Sequence, residues 1–297
     1  MPPRHLPRSQ LFPAGIEGLS ASFVELASGV KVRVVECCPK EGRDRGETAV
    51  MLAGWGCSAY AFRKNIRELA ETGVRVLAVE LKGQGASDKP LGEGEYTVDA
   101  LTEHTIEILD ALRLERVSLV GLSLGGLLAA RVALAAPERV KRLALLDSVG
   151  FGRVRLVRLA QLFPAGLGSL LPRVAGRRWL FGLALRAAYG SLGKPSAHDV
   201  DEYFAPACDP AFVQSLWALL HDVDWRLLTT DELRRLTMPL LVIFGSEDRL
   251  VSPRDAERLT REAPDARAMF IAGAGHASPE EAPDEVNAAL AEFIGAG

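Results

Sequence analysis

Cysteines, aromatic residues and long uncharged apolar runs are all scarce in this chain. Its 297 residues include only Cys37, Cys38, Cys57 and Cys208, and no pair has the spacing of a metal site. We therefore predict reduced thiols that are buried as small apolar residues, with no bound metal. No run is both long and charge-free enough to cross a bilayer, which argues against stable insertion into a membrane.

A strong excess of charge of either sign is also absent. The formal net charge of -3 provides no global attraction to nucleic acid or to an anionic membrane. Residues 1–15 contain four prolines but no continuous apolar core, so we predict no secretory signal and a cytoplasmic protein. The hydrophobic content of 48% suits one large domain, or one domain that carries an insertion.

Short apolar runs alternate with helical patterns along most of the chain. Two strands joined at Ser28-Gly29 predict an antiparallel hairpin, and six later runs have the character of buried strands. The predicted strands are Phe23 to Leu26, Val30 to Cys37, Thr48 to Ala53, Val74 to Leu81, Arg116 to Gly121, Val140 to Leu146, Pro239 to Phe244 and Arg267 to Ile271. The predicted helices are Ala61 to Glu71, Val98 to Leu112, Leu124 to Ala136, Pro253 to Glu262 and Pro283 to Phe293. This alternation predicts an α/β fold with a mostly parallel eight-stranded sheet flanked by helices.

One segment breaks this alternation. Between Asp147 and Thr237 the chain has helical patterns but no convincing strand over about ninety residues, far more than an ordinary connection. We predict a helical cap inserted after the sixth strand. The predicted division is residues 1–148 for the first part of the core, 149–236 for the cap and 237–297 for the second part of the core.

The predicted cap begins with a basic and strongly apolar stretch, Ser148 to Lys194, that contains no Asp or Glu. Its basic residues are Arg153, Arg155, Arg158, Arg173, Arg177, Arg178, Arg186 and Lys194. We favour the interpretation that arginine stems cover a packed surface while their charged heads stay in water. The alternative is interfacial contact of this basic cap with lipid-like or long acyl substrates beside anionic groups. Its apolar residues are Leu156, Leu159, Leu162, Phe163, Leu170, Trp179 and Leu180.

A serine lies between glycines directly after a strand-like run, in Val120-Gly121-Leu122-Ser123-Leu124-Gly125-Gly126. Gly121 and Gly125 leave room for a sharp turn from strand to helix, which lifts the Ser123 hydroxyl clear of the backbone. The helix that follows points its amino end at the reacting centre, where free N–H groups favour a developing negative charge. Ser123 is therefore the candidate nucleophile.

A serine nucleophile needs a base, and the base needs a third group to hold its tautomer. Among five histidines, His276 is the candidate base because it lies in a loop of small residues after the last strand. Asp248 is the candidate acid because it follows a strand at the carboxyl edge of the predicted sheet. Glu247 and Asp147 occupy comparable positions, and both are more simply explained as loop or capping carboxylates.

The tetrahedral intermediate of acyl transfer also needs hydrogen-bond donors for its oxyanion. The backbone N–H of Leu124 is the first candidate. The second is the backbone N–H of Trp55, in the glycine-containing turn after the third strand. We predict that Gly54, Trp55 and Leu122 line the substrate pocket.

These elements together resemble the α/β-hydrolase fold family from about Phe23 to Phe293. The order Ser123, Asp248, His276 on a mixed sheet with a cap is typical of that family. The stretch Glu80-Leu81-Lys82-Gly83-Gln84-Gly85-Ala86-Ser87-Asp88-Lys89-Pro90 is similar to its D-x-R-G-x-G-x-S-x-x-P loop, and Ala53-Gly54-Trp55-Gly56 to its H-G-x-G turn. Ala53 stands where the family usually has His, and Glu80 and Lys82 replace Asp and Arg.

The resemblance implies acyl chemistry, because family members that cleave haloalkanes or epoxides use an aspartate where this chain has Ser123. It implies no metal and no organic cofactor. We predict a serine hydrolase that cleaves a small-molecule carboxylic ester through an acyl-enzyme. Carbon–carbon bond hydrolase, thioesterase, lactonase and acyltransferase activities stay open as alternatives on the same fold. An alternative of another class is a non-catalytic ligand-binding or accessory protein. No nucleic-acid partner is predicted, and the oligomeric state stays open.

Overall fold

The structure is a computed structural model, and it describes residues 11–151, 157, 161–164, 176–225 and 227–295. One sheet of eight strands organises these residues, in the order β1-β2-β4-β3-β5-β6-β7-β8. The strands are β1 (Leu19–Glu25), β2 (Lys31–Cys37), β3 (Glu47–Leu52), β4 (Val74–Glu80), β5 (Val117–Leu122), β6 (Val140–Leu146), β7 (Leu240–Gly245) and β8 (Ala266–Ile271). Strand β2 pairs antiparallel with β1 and β4, and all other pairs are parallel. The predicted mostly parallel eight-stranded sheet is confirmed.

Ten α-helices lie in the described part of the chain. They are α1 (Ile66–Glu71), α2 (Val98–Ala111), α3 (Leu124–Ala135), α4 (Arg178–Ala188), α5 (Ala197–Phe204), α6 (Pro210–Asp222), α7 (Thr230–Arg234), α8 (Arg254–Glu262), α9 (Ser278–Glu281) and α10 (Pro283–Gly295). The predicted start of the first helix at Ala61 is wrong. Residues Ala59–Phe62 instead form a 3₁₀ turn, in which the Tyr60 N–H donates to the Ser58 hydroxyl, and α1 begins only at Ile66.

The hydrophobic core lies on both faces of the central strands. Along β3, Val50 and Leu52 join one apolar cluster while Ala49 and Met51 join the other, as the two-residue period of a strand requires. Every residue of β5 and β7 is buried. These strands read as continuous apolar runs because helices cover both of their faces.

Between β6 and β7, the described residues contain helices α4 to α7 and no strand. The insertion of a helical cap over residues 149–236 stays a prediction. Several residues named above lie outside the described part: Arg153, Arg155, Leu156, Arg158, Leu159, Leu170 and Arg173. Within the described part, no helix is both long and apolar enough to cross a membrane.

The four cysteines all lie in described residues, and none of them forms a disulfide. The prediction that they are small buried residues is wrong for two of them. Cys37 is buried and Cys57 is partly buried, but Cys38 and Cys208 are exposed. Cys37 is the last residue of β2 and packs in the core, whereas Cys38 follows the strand and is exposed.

Candidate active site

Ser123 lies at a strained turn between β5 and α3. Its φ of 54° and ψ of -116° are rarely adopted by a residue with a side chain. The turn is tight because glycines surround it: a Cβ at Gly121 would lie 2.4 Å from the Gly125 carbonyl oxygen. The Ser123 N–H donates to the Leu146 carbonyl at 2.9 Å, which fixes the turn against β6. The hydroxyl is thereby presented at the carboxyl edge of the sheet.

Three side chains that are far apart in sequence form one hydrogen-bonded chain at this edge. The Nε2 atom of His276 lies 2.8 Å from the Ser123 Oγ, and its Nδ1 atom lies 2.7 Å from the Asp248 Oδ2. The structure therefore brings together all three residues that the sequence singled out. With Nδ1 protonated and donating to the carboxylate, Nε2 is left as an acceptor for the serine proton.

Asp248 is held in place by its own loop. Its second oxygen, Oδ1, accepts hydrogen bonds from the backbone N–H groups of Leu250 at 2.8 Å and Val251 at 2.9 Å. Its side chain is fully buried. A carboxylate with both oxygens satisfied in this way cannot rotate freely, so it fixes the orientation of the His276 ring.

The electrostatics of the site act on the pKa of His276 in opposite directions. Burial lowers this pKa, but the hydrogen bond and the negative charge of Asp248, with the charge of Asp147 behind it, outweigh burial and raise it above its ordinary value. A histidine acts as a base only when it is neutral. Activity that depends on His276 is therefore expected to fall as the pH drops through this raised pKa, above the ordinary value of about 6.5.

Asp147 lies directly behind the three residues, at a position where the backbone has a φ of 44°. Its Oδ1 accepts from the Gly245 N–H at 2.8 Å and its Oδ2 from the Ser278 N–H at 2.9 Å. Burial raises its pKa to about 6. Asp147 therefore ties together the two loops that carry Asp248 and His276, which is more than the loop or capping role suggested by the sequence.

Replacing Asp147 by Asn is expected to shift the acid limb of kcat/KM to lower pH. The variant lacks the negative charge that helps to raise the pKa of His276, and this charge is present above pH 6, where the limb lies. The amide nitrogen would also face one of the two N–H donors, so kcat should fall roughly tenfold. The measurement is a pH profile of turnover, with the exposed Asp231→Asn as the control. An acid limb that does not move in Asp147→Asn would contradict this electrostatic coupling.

The two predicted oxyanion donors flank Ser123. Leu124 is the first residue of α3, and a Cβ on Gly54 would lie 3.1 Å from the Ser123 Cβ, which places the turn with Trp55 beside Ser123. No hydrogen bond joins the N–H of Leu124 or Trp55 to another described residue. Both donors are thus available to a ligand, and their role at the oxyanion stays a prediction.

The turn that carries Trp55 is braced without the histidine that is usual at position 53. With its carboxamide nitrogen facing the turn, buried Gln84 donates to the carbonyls of Gly54 at 2.8 Å and Cys57 at 3.0 Å. On its other side, the Trp55 indole N–H donates to the Leu216 carbonyl of α6 at 2.9 Å. Gln84 was not predicted as a site residue. Its position between two glycines, in the loop after β4, was the sequence feature that could have indicated it.

The other histidines of the described part and Glu247 take no part in this hydrogen-bonded chain. His104 is buried and accepts a hydrogen bond from the Lys82 N–H, and burial lowers its pKa to about 3. His221 contacts backbone carbonyls, and His198 is exposed on α5. Glu247 accepts a hydrogen bond from the Ser191 hydroxyl. Over the described ranges, no cluster of His, Cys, Asp and Glu is suited to a metal ion.

Comparison with known proteins gives a consistent result. A model of the "Alpha/beta hydrolase family" matches residues 49–289. A pimeloyl-[acyl-carrier protein] methyl ester esterase of Aeromonas hydrophila is 30% identical over 256 residues, which cover 84% of this chain and 96% of the esterase. A 2-hydroxymuconate semialdehyde hydrolase of Pseudomonas putida is 32% identical over 212 residues, which cover 68% and 70% of the two chains.

Solved structures agree on the fold. The carboxylesterase CesB of Bacillus subtilis superposes with a TM-score of 0.73 at 21% identity, covering 94% of this chain and 92% of the esterase. At this identity the likeness concerns the fold alone. The family match includes the strand-to-helix turn at Ser123 and the loops of Asp248 and His276. From these matches, the protein is a hydrolase that belongs to the alpha/beta hydrolase family.

Proposed function

We propose that the protein hydrolyses a carboxylic ester through an acyl-enzyme intermediate, with Ser123 as nucleophile, His276 as base and Asp248 as the group that orients the base. The observation that carries this proposal is the continuous hydrogen-bonded chain from the Ser123 Oγ through the His276 ring to Asp248, with contacts of 2.8 Å and 2.7 Å. A serine with such a base and orienting acid is activated for attack on a carbonyl carbon.

In the first half of the proposed reaction, the Ser123 Oγ forms a bond to the ester carbonyl carbon while its proton moves to the His276 Nε2. The imidazolium then protonates the alcohol oxygen as the carbon–oxygen bond to the alcohol breaks. In the second half, water transfers a proton to His276 and attacks the acyl-enzyme. The acid is released, and the proton returns to Ser123.

The oxyanion of each tetrahedral intermediate would be stabilised by the backbone N–H groups of Leu124 and Trp55. These donors lie at the amino end of α3 and in the turn braced by Gln84, so they would need little rearrangement during the reaction. Gly54, Trp55 and Leu122 would form the wall of the pocket next to Ser123. Neither the proposed steps nor this pocket requires a cofactor.

The choice of an ester over other acyl substrates rests on support from the relatives. The Aeromonas relative is named for hydrolysis of a methyl ester, and it aligns with 84% of this chain. The Pseudomonas relative is named for a semialdehyde substrate, so a different acyl reaction is the second candidate.

Labelling with a serine-directed fluorophosphonate tests the nucleophile. The wild-type protein is expected to be labelled stoichiometrically, and Ser123→Ala is expected to lose the label, because the probe reacts only with an activated serine. Ser278→Ala serves as the matched control, since this buried serine also lies near His276 but donates its backbone N–H to Asp147. Undiminished labelling of Ser123→Ala would contradict the proposal.

A substrate panel then separates ester hydrolysis from its rivals. Neutral p-nitrophenyl esters graded by acyl length would be compared with thioesters, lactones and dienoic acids on the wild type and on Ser123→Ala. We expect the esters to be turned over fastest and the variant to be inactive on them. Labelling without ester turnover would retain the nucleophile but reject the ester, and binding without any turnover would favour a non-catalytic protein.

A further inference from the structure

Helix α4, between β6 and β7, presents large apolar side chains to solvent. Trp179 is 63% exposed and Leu183 is 53% exposed, and Arg186 is exposed one turn further along. Residues at this spacing share one side of a helix. We call Trp179, Leu183 and Arg186 the outer face of α4.

The opposite side of α4 is anchored in the protein. The ring of Phe181 packs edge-on against Phe204, with 5.6 Å between centroids. Gly182 packs against Val200 of α5, and Leu185 is buried. The outer face is therefore exposed even though the opposite side of α4 packs against the protein.

The charged residues of α4 and of the segments on either side of it, residues 176–196, are all basic. Arg177, Arg186 and Lys194 are exposed and form no ion pair with a described residue, whereas Arg178 is paired with Asp201 of α5. The stretch Ser148 to Lys194 contains no acidic residue that could neutralise them. A Trp and a Leu beside unneutralised arginines form a surface that is both apolar and basic.

We propose that the outer face of α4 docks onto an anionic lipid bilayer, with Trp179 and Leu183 at the headgroup–acyl boundary and Arg186 against anionic headgroups, together with the exposed Arg177 that directly precedes the helix. Interfacial helices combine these residue types, because the aromatic and aliphatic groups leave water while the cations stay at the headgroups. The chain as a whole has a net charge of -3, so this attraction must come from the local surface. An anionic bilayer therefore matches both the apolar side chains and the arginines. A partner that offers only negative charge would leave Trp179 and Leu183 exposed to water.

The docked face would lie next to the candidate active site. The carbonyl of Ala188, the last residue of α4, accepts a hydrogen bond from the His276 N–H at 2.7 Å. Two residues further, the Gly190 N–H donates to Glu281 of α9, in the same region. Membrane contact through α4 therefore holds the loop of His276 near the bilayer surface.

Sedimentation with vesicles tests the contact on the full chain. We compare vesicles of phosphatidylcholine with vesicles of equal parts phosphatidylcholine and phosphatidylglycerol. The wild type is expected to partition roughly tenfold or more strongly onto the anionic vesicles, and this preference should weaken with added salt. Trp179→Ser combined with Leu183→Ser should reduce partitioning roughly tenfold or more. Arg177→Glu combined with Arg186→Glu should abolish the preference for the anionic lipid.

Matched controls lie far from α4. Phe23→Ser removes a side chain of β1 that is 57% exposed, and Arg116→Glu reverses an exposed charge at the other end of the sheet. Both are expected to bind as the wild type does, with circular dichroism and thermal unfolding to establish that every variant is folded. Ser123→Ala should also bind fully, so this test is independent of the proposed reaction.

Three outcomes would overturn the proposal. The first is a wild type that does not bind anionic vesicles, and the second is binding that is unchanged in both paired variants. The third is a dimer in light scattering that Trp179→Ser dissociates, which would assign the outer face to a second copy of the chain.

Discussion

Replacement of either Ser123 or His276 by alanine is expected to lower kcat for the best ester roughly 10⁵-fold to 10⁶-fold. The physical reason is that the two side chains act as a unit: the hydroxyl is unreactive without the base, and the base has no proton to accept without the hydroxyl. Their contact of 2.8 Å and the contact of 2.7 Å to Asp248 underlie this expectation. Asp248→Asn should cost roughly 10⁴-fold, because an amide favours the wrong tautomer of His276.

A double variant is the sharpest form of this test. Ser123→Ala combined with His276→Ala should be scarcely slower than either single variant, since the first substitution already disables the unit. The control is His198→Ala, because the side chain of His198 is 64% exposed and lies outside the site. Losses that multiply in the double variant would mean that the two residues act independently, and would reject the shared role.

Gly125→Ala is expected to lower the free energy of unfolding by about 3 kcal/mol and to abolish turnover. A Cβ at this position would lie 2.1 Å from the Leu52 carbonyl oxygen and 2.7 Å from that of Ala53, so α3 would have to move away from β3. Backbone atoms cannot rotate aside as a flexible side chain can. The same displacement would shift the Leu124 N–H and the Ser123 hydroxyl.

Gly193→Ala is the matched control for this substitution. A Cβ at Gly193 would meet nothing closer than a Tyr189 atom at 4.0 Å, so its stability and turnover should match those of the wild type. Urea unfolding followed by circular dichroism measures both variants. A Gly125→Ala protein with wild-type stability would show that the packing of α3 on β3 is looser than these distances imply.

The central strands were predictable from the sequence because their residues are almost all apolar or small. In β5 and β7, every residue is apolar or small and buried on both faces, and such runs indicate central strands without knowledge of their partners. The first helix was less predictable. The apolar pattern from Ala61 continues smoothly, but the Ser58 cap starts a separate 3₁₀ turn, and a single hydrogen bond of this kind is not visible in a hydrophobic period.

The candidate site also contains residues that the sequence predicts and residues that it does not. Ser123 and His276 could be proposed from the sequence because Ser123 lies between glycines after a strand and His276 lies in a loop of small residues. Asp147 and Gln84 were not identifiable, because their roles arise from hydrogen bonds to Gly245, Ser278, Gly54 and Cys57, which lie far away along the chain. The hydrogen-bond partners of Asp147 and Gln84 are set only when the folded sheet brings these distant segments together.

The sequence by itself determined the eight-stranded α/β architecture and the three residues at the proposed reacting centre, because periodicity, glycine placement and strand ends are local properties. Tertiary structure alone decided that Asp147 joins the segments next to Asp248 and His276, that Gln84 braces the turn of Trp55 and that one side of α4 faces solvent. The physical reason is that burial and hydrogen bonding join groups that are distant along the chain, and these pairings exist only after the sheet has formed and the helices have packed on it.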